Sequence, residues 1–109
     1  MNVNIAILPY VNRRRPLTDE EWEEVEALVN GALPDFNMFM STCRPTIGLT
    51  GYRVCLLLRL QFRVKDIATM MGVSLPYVSK ISKIILLRLW GEKGSSKELA
   101  QKLCTAGVN

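Results

Sequence analysis

Residues 63–90 read RVKDIATMMGVSLPYVSKISKIILLRLW, and the spacing of small, apolar and capping residues predicts two helices that cross steeply through a tight turn. A close crossing needs a very small side chain on the first helix, and Ala68 supplies it. The turn needs a residue that tolerates positive φ; Gly72 stands four residues on. A shared apolar wedge needs hydrophobic side chains at Ile67, Met71, Val73, Val78 and Ile81, and all five positions are apolar. Ser74 then reads as the N-cap of the second helix. Pro76 falls in its first turn, where a missing N–H leaves no bond unmade. The pattern predicts a helix-turn-helix from Val64 to about Lys83, with its second helix running on to Trp90.

The same spacing would serve an αα-corner with no role in nucleic-acid binding. What separates the two readings is the outward face of the second helix. Tyr77, Ser79, Lys80 and Lys83 lie away from Val78, Ile81 and Ile85, and none is acidic. These side chains donate hydrogen bonds or offer a stacking face, which suits base edges in a major groove. Arg63 and Lys65, ahead of the first helix and in its first turn, are placed to reach phosphates.

Working outward, a helix is expected over 18–30. Thr18 and Glu21 form a capping box, and Leu17 with Trp22 a hydrophobic staple. Trp22, Val25, Leu28 and Val29 mark its apolar face, and Gly31 is expected to end it in the left-handed conformation. A shorter helix is expected from Asp35 to about Thr42, with Phe36, Phe39, Met40 and Cys43 as its stripe and Arg44-Pro45 as its stop. A third begins after Thr50, with Leu49 and Val54 in staple positions and Arg53 and Arg59 outward as a basic edge. The last begins at Ser95 or Ser96, where Ser95 and Glu98 form a second capping box and Leu99 and Leu103 face inward. Residues 1–16 read as an arm, either a short strand or an extended segment through Val3, Ile5, Ile7 and Leu8; Pro9 and Pro16 argue against a continuous helix. The far half of the second motif helix, from Ile84 to Trp90, is apolar nearly all round and needs cover on more than one side. The 18–30 helix, acting as a lid, and the final helix are the expected covers, with a second subunit as a third candidate.

The chain has 109 residues, enough for one domain with a real core, and its 49% hydrophobic content argues against disorder. No apolar run approaches the roughly 20 residues that span a bilayer, and no basic residue precedes the apolar part of Met1–Val11, so neither a membrane anchor nor a secretory signal is expected. Cys43, Cys55 and Cys104 are odd in number and show no close pairing, which suggests free thiols in a reducing cytoplasm. The absence of histidine excludes a histidine general base, a Ser-His-Asp triad and Cys/His zinc sites. No glycine-rich phosphate loop is present. The expectation is therefore a protein without catalysis, cofactor or metal. The net charge of +4 divides unevenly. Residues 17–35 carry seven acids and no base, whereas residues 36–109 carry eleven bases and three acids, and Arg13–Arg15 add three more bases. A basic body suits an anionic partner, although a solvated surface would also accommodate it.

Residues Leu49–Trp90 resemble the helix-turn-helix of LuxR-type regulators and of sigma-factor region four. More narrowly, YRVCLLLRLQFRVKDIATMMGVSLPYVSKISKIILLRLWG resembles the C-terminal output domain of tetratricopeptide-repeat transcription regulators from Bacteroidetes, and the flanks LTDEEWEEVEALVNGALPDF and GSSKELAQKL fit that wider pattern. The resemblance spans about residues 17–103. It implies a tetrahelical, bacterial DNA-binding fold in which Ser74–Lys83 opens the reading helix. In LuxR-type proteins a helix after the reading helix often supports dimerisation, so a homodimer is one implied partner, with plain core packing as the alternative role. No repeat array or receiver is legible ahead of the motif, so the expectation is an output domain without its sensory half.

The expected protein is an all-α domain: a tetrahelical core flanked by an acidic N-terminal helix and a C-terminal helix, with residues 1–16 as an arm and 17–109 as the domain. The expected function is sequence-specific binding of double-stranded DNA in transcription regulation, with helix 75–90 in the major groove. Tyr77, Ser79 and Lys80 would meet base edges, Arg63, Lys65, Lys83 and Arg88 would hold phosphates, and Ser74 and Pro76 at the start of the same helix complete the expected DNA-binding set. The alternative is a sigma-like interaction module that docks to RNA polymerase or to a regulatory or sensor protein.

Overall fold

The structure is a computed structural model that describes residues 2–106. Among these residues it is all-helical: α1 (Val3–Asn12), α2 (Asp19–Ala32), α3 (Pro34–Arg59), α4 (Val64–Met71), α5 (Leu75–Trp90) and α6 (Ser96–Thr105). Residues 107–109 of the expected domain lie outside the described residues.

The second half of α3 is the axis of the core. Val54, Cys55, Leu56 and Leu57 are fully buried, because α2, α4, α5 and α6 all pack against this helix. Contact on several sides explains why the run is apolar without period. α3 is one long helix broken inside, and the break is not where Arg44-Pro45 suggested. Gly48 carries it, at φ 72° and ψ 179°, a conformation essentially restricted to glycine. Pro45 stays helical because Ser41, whose carbonyl loses its N–H partner, is exposed and can be hydrated. The expected staple at Leu49 does not form either; Leu49 is exposed.

Residues 2–16 do not form the expected arm. α1 is a helix that contains Pro9, capped by the Asn2 side chain accepting the Asn4 N–H. The carbonyl released by Pro9 belongs to Ile5, which is exposed. Ile7 is fully buried on the opposite face, and the Asn4 side-chain amide donates to the Leu60 carbonyl at 2.6 Å. Tertiary packing against α2 and α4 thus overrides the proline signal.

α2 begins as expected, with the Thr18–Glu21 capping box formed in both directions. It runs through Gly31 to Ala32 and stops at Leu33, because Pro34 opens the next helix. Glu21 is buried and serves twice, since Arg13 and Arg15 both pair with its carboxylate. The Leu17 N–H donates to the Met70 carbonyl at 2.9 Å, which ties the α1–α2 connection to α4.

The far half of α5 is covered by α3 and α6. Phe39 and Trp90 stack with ring centroids 5.9 Å apart, and Ile85 approaches the backbone of Gly51. α2 packs on α1 and α3 instead. The lid expected from α2 is therefore supplied by Phe39 on the first half of α3, while Trp22 lies at the opposite end, beside the α4–α5 turn.

Candidate nucleic-acid interface

α4 and α5 meet at 103°, within the range of a helix-turn-helix. The turn between them is built by local chemistry. Gly72 adopts φ 69° and ψ 34° as the left-handed C-cap of α4. Its N–H bonds the Thr69 carbonyl at 3.2 Å, and the Val73 N–H bonds the Ala68 carbonyl at 3.0 Å. Both bonds satisfy carbonyls that the end of a helix otherwise leaves open. The Ser74 hydroxyl accepts the Tyr77 N–H at 3.2 Å and so caps α5. Ile67, Ala68 and Val78 are buried in the wedge, with Met71, Val73 and Ile81 packed against its edge.

This wedge turns one face of α5 outward. Pro76, Tyr77, Lys80 and Lys83 are exposed along it, and no carboxylate stands among them. Ser79 sits on the flank of the helix and is half-buried. Arg63 and Lys65 are exposed at the start of α4, where Arg63 shares an ion pair with Asp66 at 3.1 Å. Arg88 does not join this group. It lies in the last turn of α5, about 20 Å along the axis from the first turn at 1.5 Å per residue. A cation there complements the C-terminal end of the helix dipole.

Two arginines outside the expected site, Arg14 and Arg53, stand close to it. Arg14 lines a concavity with Arg63 and Lys65. It holds a positive φ of 54°, a costly conformation for a residue with a side chain. The arginine run announced its charge, but only the fold shows that Arg13 and Arg15 are taken up by Glu21, leaving Arg14 on the α4 side. Arg53, read as outward, instead lies over the Trp22 ring at 4.7 Å. There it lines a cavity with Thr50, Ser74 and Tyr77 at the first turn of α5. Arg59 is likewise drawn in, over Phe36.

Cys43, Cys55 and Cys104 are free; burial raises the Cys43 thiol and pushes the Cys55 thiol well above its usual range. No cluster of three histidine, cysteine, aspartate or glutamate side chains suited to a metal occurs among the described residues. No single helix among them is long and apolar enough to cross a membrane. Comparison with protein-family models, with curated proteins and with solved structures found no match.

Proposed function

We propose that this chain binds double-stranded DNA sequence-specifically as a transcription regulator, presenting the first half of α5 to the major groove. The observation that carries this reading is the acid-free, exposed face of Pro76, Tyr77, Lys80 and Lys83, held up by a 103° crossing with α4. An α-helix fits the major groove, and a lysine there can donate to guanine O6 and N7. Tyr77 and Lys80 meet base edges, Ser79 reaches them only from the flank, and Lys83, Lys65 and Arg63 hold phosphates. The reading involves no catalytic step and no cofactor. The free thiols suit a reducing cytoplasm.

A selection of genomic DNA fragments on the immobilised protein tests this. The expected result is enrichment of fragments that share a short sequence, with Lys80→Ala losing its preference for that sequence over random duplex. Enrichment without a common sequence would overturn the specific reading. One observation favours a second reading, a docking module for RNA polymerase, a sensor protein or another copy of this chain: Leu87 is 53% exposed beyond Lys83 on the same helix. Salt separates the two, since binding through phosphates weakens steeply with ionic strength and docking through an apolar surface does not.

A further inference from the structure

A cavity of about 380 Å3 opens where α2, the second half of α3 and the first turn of α5 meet. Trp22, Thr50, Arg53, Ser74 and Tyr77 line it, and no acidic side chain does. Arg53 is the unusual member. Its guanidinium carbon lies over the Trp22 ring, 4.7 Å from the centroid. Its Nε is shut off from solvent and has no acceptor among the described residues. None of the ion pairs among those residues involves it. A guanidinium remains charged at any ordinary pH. Shutting that Nε–H off from water without an acceptor is costly, and the indole beneath it offsets only part of that cost. The arrangement is a pre-aimed cation that lacks its anion. The hydroxyls beside it suit an anion as well: the Ser74 oxygen already accepts from the Tyr77 N–H, so its proton is free to be donated.

We propose that this cavity is a phosphate clamp in which Arg53, with the Thr50 and Ser74 hydroxyls, holds one phosphodiester of the strand bordering the groove that α5 enters. The proposal rests on the DNA-binding reading of α5. A helix that enters a major groove by its first turn has a sugar-phosphate strand beside that turn, and the cavity opens there. Planar, stacked arginine is suited to bidentate capture of phosphate oxygens. The clamp fixes the depth and register of α5, leaving Tyr77 and Lys80 to read bases.

The test uses the full chain, a labelled random duplex and four proteins: parent, Arg53→Gln, Arg53→Lys and Thr50→Val. Thr50 is exposed, so its variant keeps the test available should Arg53→Gln fail to fold. Anisotropy titrations across a salt series give affinity and salt slope. Arg53→Gln is expected to bind roughly tenfold more weakly, with the slope of log affinity against log salt flattened by about one unit. Arg53→Lys is expected to keep the parent slope at reduced affinity, because charge is retained and the bidentate plane is lost. Thr50→Val is expected to weaken binding severalfold at unchanged slope. The Arg53 Nε–H resonance should shift on addition of duplex and remain still in millimolar inorganic phosphate. Unchanged affinity and slope in Arg53→Gln, with the parent binding duplex, would overturn the clamp and leave the DNA-binding reading standing. Saturation of the Arg53 signal by inorganic phosphate alone would assign the cavity to a free anion and overturn the clamp. Failure of the parent to bind duplex would overturn both.

Discussion

Gly72→Ala probes the turn on which the interface depends, and its cost can be built from three parts. Gly72 sits at φ 69°, and an ordinary residue in the left-handed region costs about 1–2 kcal/mol. Adding a Cβ stiffens the unfolded chain, which returns roughly 0.4–1 kcal/mol. The new Cβ would also stand 3.0 Å from Pro16 Cγ and 3.2 Å from Pro16 Cβ. Pro16 cannot swing aside like the end of a long side chain. Its ring is rigid, the next residue is bonded to Met70, and Arg15 before it is paired with Glu21. Crowding of this kind costs on the order of 1 kcal/mol, the lower end of the range for overpacking. The expected loss is about 1–3 kcal/mol, which for a domain of this size lowers Tm by roughly 4–12 °C. Circular-dichroism melts of Gly72→Ala, Pro16→Gly and the double variant separate the parts. In the Pro16→Gly background the cost of Gly72→Ala should fall by about 1 kcal/mol, leaving backbone strain alone. A Gly72→Ala protein that melts at or above the parent temperature would refute the left-handed turn. An identical cost in both backgrounds would refute the Pro16 contact.

Trp22→Ala should destabilise the domain by about 3–5 kcal/mol, since the ring is 3% exposed and carries Arg53; a parent-like urea midpoint would show that α2 is not anchored there. Against a selected site, Tyr77→Ala and Lys80→Ala should each lose roughly 1–3 kcal/mol of discrimination, whereas Lys65→Ala should weaken all sequences about equally and flatten the salt slope by about one unit. An unchanged ratio of specific to random affinity in Lys80→Ala would remove that residue from the reading face. A thiol reagent at pH 8 should label Cys104 first, because Cys55 is fully buried and Cys43 nearly so, with both thiols held protonated by burial; rapid labelling of all three would mean that the core opens readily.

The helix-turn-helix was legible because its determinants are local. Ala68, Gly72, Ser74 and Pro76 each act within a few residues of themselves, through a carbonyl, a cap or a fixed φ, and no distant group competes with them. The Thr18–Glu21 box and the Glu98 carboxylate, which accepts the Ser95 N–H and hydroxyl at 2.8 Å each, were legible for the same reason. What escaped depends on partners far along the chain. Pro9 and Pro45 look like helix breakers until burial shows that Ile5 and Ser41, whose carbonyls they release, are exposed residues. Gly31 looks like a helix end until Pro34 proves to set the boundary. Gly48 looked like nothing, although its ψ of 179° divides α3. Arg53 was outward by periodicity, and only the fold brings Trp22 beneath it and Ser74 beside it. That gap matters, since the candidate clamp is assembled from α2, α3 and α5 and has no signature in any one of them.

A salt-dependent binding isotherm tests most directly whether the α5 face meets DNA phosphates and bases. Fluorescence anisotropy of a labelled random duplex, titrated with the full chain from about 50 to 200 mM salt, should give a dissociation constant near 10⁻⁴–10⁻⁶ M at physiological ionic strength, tightening steeply and linearly on a log–log plot as salt falls. An absence of binding at tens of micromolar protein in low salt, or binding that ignores salt, would contradict that contact.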